Sequence, residues 1–170
     1  ERDQVWTVTV VPYDVTEDGA PVTDSIVISN SPPVITAASL TPLAPRTTQS
    51  VTGQVTAVDP DGDGVRSVSY AWFVNGTQVT GTTSTLADTR YDKGDEVWFT
   101  AKATDFAGAE SGAAASNHVF VANTPPEGSI PQIGPAGATV ASTLTCTPVG
   151  FFDVDNDPEG WRYAWQVGGV

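Results

Sequence analysis

Two short stretches of this sequence carry a carboxylate at every second position and are the residues best suited to chemistry. They are Asp59, Asp61 and Asp63, and then Asp153, Asp155 and Asp157. Three oxygen donors at positions i, i+2 and i+4, separated by small or turn-forming residues, suit a hard cation such as calcium. We therefore predict calcium binding at both stretches. The alternative is that both are only turns, because Asp, Gly and Pro are good turn formers.

The first stretch does not continue as the calcium loop of helix–loop–helix proteins. If Asp59 is position 1 of such a loop, position 12 is Tyr70, where that loop requires a bidentate Glu. The flanking segments alternate between apolar and polar residues, which is typical of strands rather than helices. We therefore expect a metal site built from loops that converge at one end of a β-fold.

The composition restricts both the fold and the partners. Of the 170 residues 39% are hydrophobic and 16% charged, so the chain can bury a core and is not a disordered acidic segment. Apolar residues recur with a period of 2 and no helical period persists, so we predict an all-β fold. The 7 basic and 20 acidic residues give a net charge of −13, which argues against nucleic acids and anionic membranes as partners. No apolar run approaches the roughly 20 residues of a membrane span.

An internal repeat sets the domain organisation. Three markers recur 92 or 93 residues further along the chain: Asn30-Ser31-Pro32-Pro33 as Asn123-Thr124-Pro125-Pro126, Tyr70-Ala71-Trp72 as Tyr163-Ala164-Trp165, and Gln4-Val5-Trp6-Thr7 as Glu96-Val97-Trp98-Phe99. We predict one complete repeat at residues 31–123. Residues 1–30 then form the C-terminal part of a repeat, and residues 124–170 form the N-terminal half of a further one.

Seven strands are predicted in the complete repeat, at residues 34–40, 50–58, 68–74, 77–80, 84–86, 95–104 and 118–122. Asn75-Gly76 is the dipeptide favoured by a two-residue type I′ hairpin. The number and spacing of the strands indicate a β-sandwich of immunoglobulin type with Trp72 in its core. Cys146 is the sole cysteine, so no intrachain disulfide can form, and its alternating surroundings predict a small buried thiol.

Four features occur together in the repeat: the two Asn-x-Pro-Pro linkers, the turn Asp59-Pro60-Asp61-Gly62-Asp63, the Tyr-Ala-Trp segments, and Ala103-Thr104-Asp105 at the end of a late strand. In this combination the chain resembles the bacterial tandem immunoglobulin-like repeats of the polycystic-kidney-disease (PKD) and cadherin-like kinds. The resemblance extends over the whole chain and implies tandem immunoglobulin-like β-sandwiches. It also implies a place in extracellular stalks, adhesins or the spacer modules of secreted enzymes.

An immunoglobulin-like sandwich predicts which other residues complete the two metal sites. The loops after the second and the sixth strand lie at the same end of the sandwich, beside the incoming linker. This arrangement brings Asp105 and Asn30 to the first acidic stretch, and Asn123 to the second. Asp14 is the counterpart of Asp105 in the first partial repeat. Its spacing from the preceding tryptophan is 8 residues rather than 7, so we do not assign it to a site.

Two classes of function follow, and neither is enzymatic. His118 is the sole histidine, and the sequence contains no nucleophile elbow, phosphate loop or zinc spacing. The first class is a structural or adhesive array, a stalk or filament, stiffened by calcium at the junctions between repeats. The second is a carbohydrate- or protein-recognition module of a secreted enzyme, which needs an exposed aromatic row. Trp6, Trp98 and Trp161 are the candidates, although Trp6 and Trp98 recur at equivalent positions and so fit a packing role.

The expected partners are neighbouring repeats or copies of the same chain arranged head to tail, with a surface glycan or protein as a further ligand. Two interpretations are open for the partial repeats. Their remaining strands belong to a longer chain, or residues 124–170 of one copy are completed by residues 1–30 of the next. We expect the protein outside a bacterial cell or on its surface.

Overall fold

The computed structural model describes residues 1–168, and the remaining two residues of the predicted repeat 124–170 lie outside this range. The described residues form twelve β-strands in four antiparallel sheets and one short 3-10 turn. The predicted all-β fold is therefore confirmed. No helix among the described residues is long and apolar enough to cross a membrane.

The strands follow one another in this order: β1 (Val5–Val10), β2 (Val22–Val27), β3 (Val34–Thr41), β4 (Val51–Val58), β5 (Val65–Val74), β6 (Thr77–Val79), β7 (Thr85–Leu86), the 3-10 turn Asp88–Arg90, β8 (Glu96–Asp105), β9 (Ala114–Ala115), β10 (Val119–Phe120), β11 (Glu127–Gly134) and β12 (Thr145–Phe152). Strands β1 and β2 form one hairpin, and β11 and β12 form another. The eight strands between them form the middle module.

The middle module consists of two antiparallel sheets with a shared core. One sheet has the order β3-β4-β7, and the other has the order β10-β8-β5-β6 with β9 also paired to β8. Buried side chains from both sheets form a single cluster, including Leu40 and Val51 from the first sheet and Trp72, Val97 and Phe99 from the second. The arrangement is consistent with a β-sandwich.

Side-chain alternation explains which faces meet in this core. In β8 every second residue is buried, whereas the residues between them are half-buried or exposed. Trp72 is fully buried, and its ring centroid lies 5.1 Å from that of Phe99. Tyr70, two residues away on the same face, contacts the same phenyl ring at 5.3 Å. The indole Nε1 of Trp72 donates to the Thr83 carbonyl at 2.9 Å, so its polar atom is satisfied. The predicted core position of Trp72 is confirmed.

The predicted hairpin at Asn75-Gly76 is also confirmed. Val74 pairs with Thr77 across the turn, and Asn75 and Gly76 have φ angles of 49° and 77°. Positive φ at both central residues is the requirement of a type I′ turn. The Asn75 side chain donates to Asp95 Oδ1 at 2.7 Å, which joins this turn to the segment before β8.

The structure differs from the sequence predictions in four places. Strand β5 begins at Val65 rather than at residue 68, because Val65 pairs with Asp105 at the end of β8. The short strand β9 was not predicted. Residues 161–166, which carry Trp165, are not in a strand, and Trp165 is 54% exposed. Cys146 is half-buried rather than buried.

The two outer hairpins repeat strand pairings of the middle module. Val5 pairs with Val27 in the first hairpin, as Val97 pairs with Val119 in β8 and β10. Gly134 pairs with Thr145 in the last hairpin, as Thr41 pairs with Thr52 in β3 and β4. Each pairing recurs at the 92- or 93-residue spacing of the sequence repeat.

Candidate metal centres

The first acidic turn joins β4 to β5 and is closed by its own first carboxylate. Asp59 Oδ1 accepts from the backbone N–H of Asp61 at 2.8 Å, and the Asp59 carbonyl accepts from Gly62 at 3.2 Å. Gly62 has a φ of 81°, a conformation that glycine adopts without strain. Asp61 Oδ2 accepts from the backbone N–H of Ser31 at 2.6 Å, so the turn is tied to the linker before β3.

The second acidic turn follows β12 and has the same hydrogen bonds. Asp153 Oδ1 accepts from the Asp155 N–H at 2.7 Å, and the Asp153 carbonyl accepts from Asn156 at 3.3 Å. Asn156 has a positive φ of 58°, like Gly62 in the first turn. Asp155 Oδ2 accepts from the N–H of Thr124 in the second linker at 2.6 Å. Both turns therefore have the same internal hydrogen bonds and the same hydrogen bond to the N–H of a linker residue.

Each turn leaves carboxylate oxygens that no other described group satisfies. Asp59 Oδ2, Asp63 Oδ1 and Asp153 Oδ2 are inaccessible to solvent and have no hydrogen-bond partner. Asp153 is only 8% exposed as a whole residue. A buried carboxylate oxygen without a partner is unfavourable, and a bound cation removes that cost.

The second turn also has the spacing that a cation requires. Asp153, Asp155 and Asp157 each offer one carboxylate oxygen, and these oxygens lie within 4.8 Å of one another. A calcium ion placed about 2.3–2.6 Å from each of three oxygens spans such a set. Among residues 1–168 this is the single group of three metal-ligating side chains with that convergence.

The two turns differ in their electrostatics. Burial raises the pKa of Asp59, and the neighbouring Asp63 and Asp61 raise it further, against the lowering effect of the Asp61 N–H. The hydrogen bond from the Thr47 hydroxyl lowers the pKa of Asp155, and the Thr124 N–H and the Lys93 charge act in the same direction, against the effect of burial. The carboxylates of the first turn therefore repel one another, whereas Asp155 is held in its charged form.

Basic side chains from the segments before β1 and β8 reach the third carboxylate of each turn. Arg2 Nη1 donates to Asp63 and, at 2.8 Å, to Asn30 Oδ1. Lys93 Nζ donates to Asp157. The sequence reasoning missed both residues, although they lie at similar distances before the repeated Val5 and Val97. That repetition is the signal that could have found them.

The structure brings Asn30 and Asp105 together, while their role as ligands of the first metal site stays a prediction. Asn30 Nδ2 donates to Asp105 Oδ2 at 2.8 Å, and the Ala109 N–H donates to Asp105 Oδ1 at 2.8 Å. The bond from Asn30 is the main cause that lowers the pKa of Asp105, assisted by backbone N–H groups of residues 107–109 and opposed by burial. Asp105 is fully buried, and both of its oxygens already accept hydrogen bonds. It therefore anchors the linker, which Arg2 in turn connects to the acidic turn.

The second linker is held by residues of the loop between β3 and β4. Asn123 is exposed, with its amide donating to the Thr124 carbonyl at 3.1 Å and its own carbonyl accepting from Arg46 at 2.8 Å. The Thr47 hydroxyl donates to Asp155 Oδ1. Sequence reasoning did not find Arg46 or Thr47, because nothing in their local pattern indicates a contact with residues so distant in the chain.

Asp14 closes the loop of the first hairpin. Its Oδ1 accepts from the Thr16 hydroxyl at 2.5 Å, the Thr16 N–H at 2.8 Å and the Glu17 N–H at 2.9 Å. These bonds, led by that of the Thr16 hydroxyl, lower the pKa of Asp14 to about 2. The carboxylate is used within its own loop.

The candidate aromatic residues do not form a row of open ring faces. Trp98 is stacked between Phe73, at a centroid distance of 4.2 Å, and His118, at 4.9 Å. Neighbouring rings therefore cover both of its faces. Trp161 meets Phe151 edge-on at 5.9 Å, and Trp6 is 66% exposed on the first hairpin. Trp98 thus has a packing role in the middle module.

Comparisons with family models, with curated proteins and with solved structures found no match for this chain.

The chemistry open to the turns follows from their donors. They consist of carboxylate oxygens on loops, which is the ligand type preferred by calcium and magnesium rather than by zinc or copper.

Proposed function

We propose that the protein is a structural module of a tandem immunoglobulin-like array and that calcium at its two acidic turns stiffens the junctions between modules. One observation carries the proposal. Two turns with different sequences share the same internal hydrogen bonds, the same bond to a linker N–H and the same unpartnered oxygen on the first Asp. A turn that served only to reverse the chain would not require this oxygen to be buried without a partner.

The strand pairings support a tandem organisation. In the middle module the strands divide between the sheets β3-β4-β7 and β10-β8-β5-β6, and this division resembles that of an immunoglobulin-like sandwich. The first hairpin repeats the pairing of β8 with β10, and the last hairpin repeats the pairing of β3 with β4. Late strands thus precede the middle module and early strands follow it, which is the order that a tandem array gives.

The contacts around the second turn explain how binding becomes stiffness. Thr47 and Lys93 belong to the middle module, and they contact Asp155 and Asp157. Thr124 of the linker is bound to the same turn. An ion at this turn fixes carboxylates that already touch the linker and the neighbouring module. The hinge between the two modules then loses freedom.

An extracellular setting suits sites of this kind. Oxygen-only sites with three carboxylates on loops resemble extracellular calcium modules, whose dissociation constants are about 10⁻⁴–10⁻³ M. The net charge of −13 favours the recruitment of divalent cations. The resemblance to bacterial surface repeats points to the same place, a stalk or filament at the cell surface.

Calorimetric titration with calcium, followed by thermal melting, tests this function. Calcium at 100 times the dissociation constant of a turn should add about 2.7 kcal/mol of stability for that turn, and a chelator should reverse the effect. The control is the double variant D59N/D153N, because asparagine keeps the Oδ1 acceptor that closes each turn and removes the charge. Absence of heat together with an unchanged melt in chelator would show that the turns bind no calcium.

The second candidate, a recognition module of a secreted enzyme, has weaker support. A sugar ring stacks on an open aromatic face, and both faces of Trp98 are covered by Phe73 and His118. Specific retention of the chain on a glycan array, lost on substitution of Trp6, would favour this candidate instead.

A further inference from the structure

We propose that the two acidic turns bind calcium unequally, with the turn at residues 153–157 filled first and the turn at residues 59–63 held back by Arg2. The inference rests on the proposed function, since it concerns the same two sites. It adds an order of occupancy and assigns a role to a residue outside the carboxylate stretches.

The second turn is already arranged for a cation. Its three carboxylate oxygens lie within 4.8 Å of one another, and hydrogen bonds from the Thr47 hydroxyl and the Thr124 N–H hold the Asp155 carboxylate in place. Asp153 is more than nine-tenths buried and has an unpartnered oxygen, so a ligand is needed there to satisfy it. Little rearrangement is required for an ion to enter.

The basic residue at the second turn is a weak competitor. Lys93 Nζ donates to Asp157, and both side chains are more than a third exposed. An ammonium group on a flexible stem is released readily to water, and exposed ion pairs contribute little to stability. The entering ion therefore displaces Lys93 at small cost.

The first turn has a stronger competitor. Arg2 Nη1 donates to both Asp63 and Asn30, and Arg2 Nε lies 3.4 Å from Asp3 Oδ2. The planar guanidinium is thus held by two hydrogen-bond acceptors and an ion pair with Asp3, and the Arg2 side chain is 29% exposed. Within the described residues the three carboxylates of this turn do not converge as those of the second turn do. An ion must displace Arg2 from Asp63 before the carboxylates can gather.

Single-site variants measure the two affinities separately by calcium calorimetry. D153N leaves the first turn, and D59N leaves the second; each asparagine keeps the oxygen that closes the turn. We expect the second turn to bind at least tenfold more tightly. Adding R2Q to D153N should raise the affinity of the first turn about tenfold, the change expected from removing one charge-assisted competitor. Adding R66Q instead removes a positive charge from exposed Arg66 beside the same turn and should change the affinity by less than about threefold.

Amide resonances of the wild-type chain provide a second readout that needs no variant. The Asn156 N–H should shift at lower calcium concentration than the Gly62 N–H. Equal affinities at the two turns, or equal effects of R2Q and R66Q, would overturn this inference and leave the proposed function standing. If no variant and no wild-type sample binds calcium, the proposed function fails and this inference fails with it. Circular dichroism in chelator verifies that each variant is folded.

Discussion

At the scale of single residues, position in the repeat does not by itself decide what a side chain contributes. Trp72 and Trp165 occupy equivalent positions, yet Trp72 is fully buried and Trp165 is 54% exposed. The difference arises because β8 and β4 lie against Trp72, whereas the described residues around Trp165 form only one hairpin. Burial of an indole ring stabilises a fold mainly through the apolar area that it removes from water.

Trp72→Ala should therefore destabilise the middle module by about 3–5 kcal/mol, because it removes a large side chain and leaves a cavity beside Phe99. Trp165→Ala is the matched control and should change the free energy of unfolding by less than about 0.5 kcal/mol. Denaturant unfolding measures both values. Equal effects of the two substitutions would place the core elsewhere.

Tyr91 should make the stability of the fold depend on pH in alkaline solution. Burial, with a smaller contribution from Asp88, raises the pKa of Tyr91 to about 12, and its hydroxyl donates to the Gln49 carbonyl. Above a pH of about 10 the phenol ionises in the unfolded chain but keeps its proton in the folded one. The folded state then binds more protons, so stability falls as the pH rises. The stability that Tyr91 contributes to the folded state is complete below pH 10 and is lost as the pH rises towards 12.

Thermal melting between pH 9 and 12 measures this effect. Tyr91→Phe has no proton to lose at this position, so its melting temperature should fall less steeply over that range than that of the wild type. Tyr13→Phe changes a tyrosine that is 79% exposed and should keep the wild-type slope. Parallel slopes for the wild type and Tyr91→Phe would contradict the assigned role.

At the scale of elements, the close approach of the two sheets depends on a small residue in β4. Val51, Gly53 and Val55 share the inward face of this strand, and Gly53 lies directly beneath the ring of Phe99 in β8. A Cβ at Gly53 would stand 2.7 Å from Phe99 Cε1, closer than two non-bonded carbon atoms can approach. The glycine is therefore required by packing rather than by a turn.

Gly53→Ala should destabilise the fold by about 1–3 kcal/mol, because the Phe99 ring must move within a closely packed core. Gly112→Ala is the matched control, since a Cβ there meets no heavy atom within 4 Å. Chemical denaturation compares the two variants. If Gly53→Ala left the free energy of unfolding unchanged, the two sheets would be able to move apart at little cost.

At the scale of the whole molecule, each acidic turn forms a junction where negative charge meets the linker between two parts of the chain. The carboxylates of each turn contact a linker N–H and a basic residue that precedes β1 or β8. Each junction thus holds several negative charges within a short distance, and a divalent ion neutralises them more effectively than one basic side chain does.

Calcium should therefore narrow the range of shapes that the chain adopts in solution. Small-angle scattering should give a smaller spread of maximum dimensions with calcium than with a chelator, because the ion restrains the hinge at each linker. The double variant D59N/D153N should show the broad distribution under both conditions. Identical scattering of the wild type with calcium and with chelator would show that calcium does not stiffen the chain.

Local features of the sequence determined the main strands, the hairpin and the shape of the acidic turns. Alternation of apolar residues identified β4 and β8 because side chains of a strand point to opposite faces, whatever the strand packs against. Asn75-Gly76 specified its own turn, since its backbone preference is intrinsic. The spacing of the aspartates likewise specified both turns, because each turn is closed by hydrogen bonds between residues two to four apart.

Only the tertiary structure decided what surrounds those turns. Arg2 and Asp63 are 61 residues apart, Lys93 and Asp157 are 64 apart, and Thr47 and Asp155 are 108 apart. No local preference encodes such contacts, because they depend on how the sheets pack and where the linkers leave them. The burial of Trp72 and the exposure of Trp165 have the same origin. Equal motifs acquire different environments when different strands lie beside them.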